Sequence, residues 1–504
     1  MATTTAYQLS WASPYHDQMV EATTSLLTPL VHEFGAGVTP WQACRRLADR
    51  AHLLFLDSAQ TSALGRYSFV SAEPIAWVSA ETRGPDPFAL MREVINARRC
   101  ATLPGLPPFQ GGVAGLWGYE LGRWIEKLPA PRVDEFRVPE LALGVYDWVL
   151  AWDHQTNRSW LISTGMGDEA FAGALRGLTP PGSPSRNGAG CDSRRRRLEQ
   201  VLAWLDRPDP PLVWRQADPI AIDTPCHPVP SRPDLFSNFD ESAYLRTIRR
   251  AIDYVHAGDC FQVNIAQRLL TRQHEPPLAL YQRLREKNPA PFAGYLDLGD
   301  FVIASASPER FLRVRDGLIE TRPIKGTRPR GRTPAEDFAR ADELRESAKD
   351  VAENVMIVDL MRNDLGRVCD YGSVQVEAVC RLESFRYVHH LVSEVRGRLR
   401  RGLDAVDLLR ATFPGGSVTG APKIRAMEII TELEQVARGA YCGCLGYVGF
   451  DGAMDTNLLI RTFTLGKGWA QFSVGGGIVA DSDPRREYEE TWHKAAGLLR
   501  GLEE

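Results

Sequence analysis

Short apolar runs of strand length, never settling into a regular alternation of strand and helix, limit most strongly what this chain can fold into. In residues 1–178, Leu53-Leu54-Phe55-Leu56, Tyr67-Ser68-Phe69-Val70 and Leu141-Ala142-Leu143-Gly144-Val145 alternate with turn signals and few long helical periods. In residues 240–504 strands mix with longer helices. Tyr244, Ile248, Ile252 and Val255 recur at helical spacing up to Gly258, which suits a helix C-terminus. A strand-like run, Val263 to Leu270, comes next. Residues 335–361 read as one helix, 373–379 and 391–395 as strands, 422–436 as a helix, 456–465 as one strand and 487–499 as a closing helix. With no strand–helix–strand period and no internal repeat, this order points to an α+β fold rather than a doubly wound parallel sheet.

One composition break interrupts the chain, over residues 179–239. Pro180, Pro181, Gly182 and Pro184 precede the run Arg194 to Arg197, and more prolines follow it. Such clusters mark loops, and an arginine run usually makes a solvated face. The segment is expected to be a mobile connection between an N-terminal domain (1–178) and a C-terminal domain (240–504).

A formal charge of −4 with 24% charged residues gives no summed positive field for nucleic acid or an acidic membrane. A small-molecule ligand is expected instead. The N-terminus lacks a basic stretch followed by an apolar core, and no run of about 18 apolar residues offers a membrane span, which makes the cytoplasm the expected location. The nine cysteines include only a C-x-C pair, Cys442 and Cys444, and read as free thiols rather than a zinc or redox motif. There is no G-x-G-x-x-G segment, and Ala421 and Pro422 separate Gly420 from Lys423, which breaks phosphate-loop spacing.

Three groups of residues could carry chemistry. Glu353 lies in a predicted helix, and Glu487, Glu489 and Glu490 follow a predicted turn at Gly475-Gly476-Gly477. Oxygen ligands on separate elements suit Mg²⁺, although helix carboxylates are more often simply solvated. Lys325 stands among Arg322, Arg328 and Arg330, in a stretch too rich in Pro and Gly to be regular structure. Crowded positive charge and desolvation are one way a lysine becomes a nucleophile; the plainer reading is a basic surface loop. His389 and His390 lead into a strand, where neighbours face opposite sides, so at most one can enter a shared site. Their spacing disfavours zinc.

Several segments then occur together in a known order: Gly258-Asp-Cys-Phe-Gln262, Ser307-Pro-Glu-Arg-Phe311, Pro323-Ile-Lys-Gly-Thr327, Ala352-Glu-Asn354 with residues 359–366, His390-Leu-Val-Ser393, residues 415–423, Ile460-Arg-Thr462 and residues 475–494. On these the chain resembles the chorismate-utilising family that includes the anthranilate, aminodeoxychorismate, isochorismate and salicylate synthases. The N-terminal half resembles the family mainly through residues 54–58, 72–74 and 111–115.

The resemblance implies an α+β, anthranilate synthase component I-like fold with a large two-subdomain antiparallel β-sandwich core and helices packed outside. It implies Mg²⁺ held by Glu353 and Glu490, with Glu487 helping, against the ring carboxylate of chorismate. Arg461, Tyr441 and the amides of Gly475, Gly476 and Gly477 align with carboxylate-binding groups, and Gly326, Thr327, Thr419 and Lys494 line the same site.

Gln262 stands where the isochorismate and salicylate synthases carry a lysine that activates water, so water is disfavoured as nucleophile. Anthranilate-forming members typically read Pro-Ile-Ala-Gly-Thr, whereas Lys325 gives this chain the form of the aminodeoxychorismate branch. There the lysine attacks C2 of the ring while Glu309 protonates the departing C4 hydroxyl; ammonia then adds at C4. His390 aligns with the base of anthranilate formation in relatives, and its presence does not separate the two products. No Gly-x-Cys-x-Gly glutaminase segment is present, so a separate glutamine amidotransferase subunit is the implied source of ammonia. The rival readings are anthranilate formation and a non-catalytic chorismate-binding activator of a glutaminase. Residues 54–58 and 288–292 also resemble segments that form a tryptophan pocket in relatives, with Asp57 where Glu is common.

Overall fold

The computed structural model describes residues 28–35, 37–80, 84–96, 100–165, 191–212, 214, 217–385 and 388–503. Two antiparallel sheets form the core, as the resemblance implied. The larger runs in spatial order Leu30–Phe34, Arg158–Ser163, Trp148–Asp153, Tyr67–Ser71, Leu54–Asp57, Phe292–Asp297, Phe301–Ser307, Thr462–Gly466, Trp469–Ile478, Gln262–Arg272, Arg232–Ser237 and His227–Val229. The smaller runs Ile324–Pro329, Val388–Arg398, Leu318–Thr321, Arg310–Arg315, Met454–Asn457, Cys444–Gly449, Gly112–Trp117, Leu141–Tyr146 and Ala76–Ala80.

The apolar layers explain this arrangement. Leu54, Phe69 and Ile303 of the larger sheet meet Leu116, Leu445 and Tyr447 of the smaller one in a shared core. The outer face of the larger sheet is covered by Pro40–Arg46, Cys191–Leu205, Pro277–Lys287 and Pro484–Leu502, and that of the smaller by Pro87–Asn96, Ala348–Gly366 and Ala405–Thr412. Strands covered on both faces need apolar or small residues at every position, which is why Cys444–Gly449 is buried throughout. None of the helices among the described residues is long and apolar enough to cross a membrane. All eight cysteines with described side chains are free.

The helix Glu241–His256 starts where Asp240 accepts a hydrogen bond from the Ala243 amide, buries Tyr244, Ile248 and Ala251, and gives way at Gly258, whose φ of +83° favours glycine. Elsewhere the elements depart from the periodicity. Residues 335–361 are not one helix: Ser347 takes an extended conformation between Pro334–Glu346 and Ala348–Gly366, and its hydroxyl caps the second by accepting from the Asp350 amide. Residues 456–465 are not one strand either. Met454–Asn457 belongs to the smaller sheet and Thr462–Gly466 to the larger, so the chain changes sheet between them.

The segment 179–239 also carries more structure than a loop. Residues 179–190 lie outside the described ones, but Cys191–Leu205 is a helix whose Val201, Trp204 and Leu205 are buried, and Arg197 forms a buried ion pair with Asp147 at 3.2 Å. Arg232–Ser237 and His227–Val229 close one edge of the larger sheet. The stretches before and after this segment do not form separate sheets: Ala293 pairs with Asp57, and Cys444 with Trp117.

Candidate functional site

Gly475, Gly476 and Gly477 lie inside the strand Trp469–Ile478 rather than in the expected turn, opposite Ala266, Ile265 and Asn264. The amides of Asn264 and Ala266 donate away from that strand, to the Thr419 carbonyl and to Glu434 Oε1, each at 2.8 Å. In an antiparallel ladder this makes their cross-strand pairs the non-hydrogen-bonded ones, so the N–H groups of Gly475 and Gly477 also point away from their partner strand. On that side the neighbouring strand pairs only as far as Gln471, opposite Thr464. Two backbone donors thus face an open edge.

Gly476 faces the acidic cluster directly. A Cβ there would lie 3.3 Å from Glu487 Oε2, 3.5 Å from Glu490 Oε1 and 3.7 Å from Lys494 Nζ. A Cβ on Gly477 would lie 2.4 Å from Nε2 of Gln262, which is fully buried with both amide atoms unpartnered among the described residues.

The predicted metal carboxylates come from two helices. Glu353 sits in Ala348–Gly366, and Glu487 and Glu490 sit in the first turns of Pro484–Leu502. Lysines stand among them: Lys494 Nζ is 2.7 Å from Glu490 Oε1 and 2.9 Å from the Gly475 carbonyl, Lys349 Nζ is 3.0 Å from Glu487 Oε1 and 3.9 Å from Glu353 Oε1, and Lys325 Nζ is 4.0 Å from Glu353 Oε2. Desolvation raises the Glu353 carboxyl above its ordinary range, whereas the adjacent Lys494 ammonium holds Glu490 below it.

With ammonium groups between them, no three acidic, His or Cys side chains among the described residues stand close enough to hold a metal as they are. The donor set nevertheless fits a hard divalent cation, being all carboxylate and charge-balanced by three lysines. A dicarboxylate and a divalent cation entering together would leave that balance unchanged.

Lys325 lies in the strand Ile324–Pro329, not in a loop. The ladder with Val388–Arg398 slips at Gly326, whose φ is +83°, between the pairs Lys325 with Leu391 and Thr327 with His390. A bulge of this kind re-aims the side chains beside it. The positive surroundings expected of Lys325 are also absent, because carboxylates claim each arginine. Arg322 binds Glu383 and Glu394, Arg328 binds Glu343 and Asp350, and Arg330 binds Asp337.

Glu309 is buried, 4% exposed, and accepts a 2.8 Å hydrogen bond from Ser417 Oγ. Burial pushes its carboxyl up to about 7, against the lowering influence of Ser417, Lys325, the Ile324 amide and Arg461. Arg461 sits where the chain changes sheet, with φ +52°, and has no ion-pair partner among the described residues; desolvation lowers its pKa. Positive φ at a non-glycine residue is strain that the surroundings must hold in place.

His390 is buried, with Nδ1 2.8 Å from Thr327 Oγ1. Burial, then the charge of Arg461, brings its pKa down to about 3, so the ring is neutral at physiological pH. His389 turns elsewhere, to Ser384 and Asp337, as opposite strand faces require.

The other predicted residues line or brace this region. Thr419 is buried and spends its hydroxyl on the Gly415 carbonyl, while Tyr441 is 8% exposed, with the Arg438 guanidinium 5.5 Å from its ring. Sequence reasoning missed Ser417 and Lys349. Ser417 lies inside the matched stretch 415–423, and Lys349 precedes Glu353 by one helical turn, a spacing that places both on one face. Asp57, at the tryptophan-pocket position, is buried and held by Arg285 at 2.8 Å and Tyr281 at 3.1 Å.

Residues 52–500 match the family model described as chorismate binding enzyme. Anthranilate synthase component 1 of Thermus thermophilus is 40% identical over 476 residues, covering 92% of this chain and 95% of its own length. Aminodeoxychorismate synthase component 1 of Salmonella typhimurium is 43% identical over 396 residues, covering 79% and 78%. Among solved structures, anthranilate synthase component I of Streptococcus pneumoniae superposes with a TM-score of 0.71 at 31% identity, covering 87% of this chain and 93% of the other. The menaquinone-specific isochorismate synthase of Escherichia coli shares the fold at 17% identity and a TM-score of 0.66, covering 94% of each chain.

Proposed function

This chain belongs to the family of chorismate-binding enzymes, and within it we propose the activity of an aminodeoxychorismate synthase component 1: chorismate and ammonia give 4-amino-4-deoxychorismate and water. The observation that carries this reading is Lys325, an amine set beside the carboxylate cluster with a protonatable Glu309 in the same site. Deprotonated Lys325 forms a bond to C2 of the ring, both ring double bonds shift by one position around the C1 side toward C4, and the C4–oxygen bond breaks as Glu309 delivers its proton to the leaving water. Ammonia then bonds to C4, both double bonds shift back and Lys325 leaves C2 with its electron pair. The excess proton on the new amine returns to Glu309. One difficult displacement becomes two easier ones, and general-acid help of this kind contributes about 10²–10⁴ in rate.

Around the reacting carbons, the guanidinium of Arg461 and the N–H groups of Gly475 and Gly477 are donors suited to the substrate's carboxylates. Tyr441, Thr419, Gly326 and Thr327 shape the walls. Glu353, Glu490 and Glu487 would hold Mg²⁺, which when bound supplies positive charge against the ring carboxylate. Neutral His390 adds no charge to the pocket. We assign the ammonia to a separate glutamine amidotransferase subunit, a reading supported by the designation of the relatives as component 1, and we place the pair in the cytoplasm, feeding 4-aminobenzoate and folate synthesis.

Anthranilate formation is the second reading, favoured by the greater coverage of the Thermus thermophilus relative. Incubation with chorismate, Mg²⁺ and ammonium separates the two. The proposed activity yields 4-aminobenzoate once an aminodeoxychorismate lyase is added, and anthranilate fluorescence as the main product would overturn it.

A further inference from the structure

We propose that Lys349 is a built-in counter-cation that occupies the carboxylates of Glu353 and Glu487 and withdraws to solvent when a divalent cation takes them. The inference rests on the reading of these carboxylates as the metal ligands. Lys349 bridges two helices: from the start of Ala348–Gly366 its ammonium reaches Glu487 Oε1 at 3.0 Å and Glu353 Oε1 at 3.9 Å.

Glu487 is only 3% exposed, and its partners are Lys349 and the Ser482 hydroxyl at 2.7 Å. A carboxylate so buried needs a positive partner whether or not a metal is present.

Three properties single Lys349 out from the other two lysines. Its side chain is 47% exposed, so it has a way out to water, as Lys494 has at 44% and Lys325 at 12% has not. Lys494 is also tied to the Gly475 carbonyl, whereas the partners of Lys349 among the described residues are carboxylates. It also stands in the first turn of a helix, where the positive end of the helix dipole opposes a cation. The carboxylates are therefore what hold it there, and neutralising them removes the reason for its position.

Two positive charges then compete for one pair of carboxylates, and deleting the weaker competitor strengthens the other. Titrating MgCl₂ calorimetrically into the full chain without chorismate tests this without any turnover. Lys349→Met is expected to bind Mg²⁺ about fivefold more tightly than wild type, the scale of a partly exposed ion pair. Lys349→Arg, which keeps the charge, stays near wild type.

Thermal melting gives a second readout: in Lys349→Met the metal-free protein melts lower and Mg²⁺ raises the midpoint by more than in wild type. Equal or weaker Mg²⁺ binding by Lys349→Met would overturn the proposal. A parallel titration of Glu353→Gln distinguishes the two levels. Lost binding there with no gain in Lys349→Met refutes the counter-cation alone, and unchanged binding in Glu353→Gln refutes the ligand assignment together with it.

Discussion

Arg438 and Arg461 sit in regions that share the wall 415–419 yet have opposite fates. Arg438 is 7% exposed and its donors are met: it binds Glu434 at 2.6 and 2.9 Å, the Val418 carbonyl at 3.0 Å and the Asn264 carbonyl at 2.9 Å, and it lies over the ring of Tyr119. Arg461 has no ion pair among the described residues and shares its surroundings with Glu309, whose carboxyl accepts from Ser417 on that same wall. A buried charge with a partner on every nitrogen is scaffold. A half-buried one without an ion pair, as at Arg461, is placed to receive an anionic ligand.

If that contrast is right, damage on the two sides differs in kind. The largest effect belongs to the unsatisfied side: Glu309→Gln should lower the amination rate by about 10²–10⁴, measured at saturating chorismate and ammonium, while leaving the protein folded. It should even gain stability in alkali. The folded carboxyl titrates near 7, above its ordinary value, so the folded state binds more protons than the unfolded one across that window and wild type loses stability as pH rises through it. At pH 8 Glu309→Gln is expected to be the more stable by about 1–3 kcal/mol, and at pH 4 the two should coincide in urea unfolding. Wild-type activity should fall above pH 7 for the same reason.

On the satisfied side, Arg438→Met strands Glu434 in the interior and should cost about 3–5 kcal/mol in denaturant unfolding. A variant of normal stability with no activity would break the comparison. The smallest change sharpens it: Ser417→Ala removes one donor that lowers the Glu309 pKa. The pH at which the rate falls should move upward, by up to about one unit for a loss of about 1 kcal/mol.

The parts of this site that could be read in the residues are those where local chemistry and tertiary position agree. Glu353, Glu487 and Glu490 are carboxylates on separate elements, with Gly476 beside the last two, whereas Glu309 entered only through the family resemblance. The charge around Lys325 was misread because linear neighbours are not spatial ones: Arg322, Arg328 and Arg330 reach carboxylates on other elements, and Glu353 comes to the lysine from a helix. The change of sheet before Thr462 was illegible for a related reason. Leu458, Leu459 and Ile460 form an apolar run with no glycine or proline between it and Thr462, and only packing between two sheets decides where the strand stops. The Ser347 break was signalled by a good capping residue but masked by helix-forming neighbours on both sides.

The central claim is that Lys325 bonds to the substrate. Intact-mass analysis of the protein incubated with chorismate and Mg²⁺, with ammonia withheld, tests it most directly. The predicted result is a gain equal to chorismate less one water, mapping to Lys325 after digestion and discharged by added ammonium. Preparations that turn over normally with ammonium but never carry that mass would contradict it.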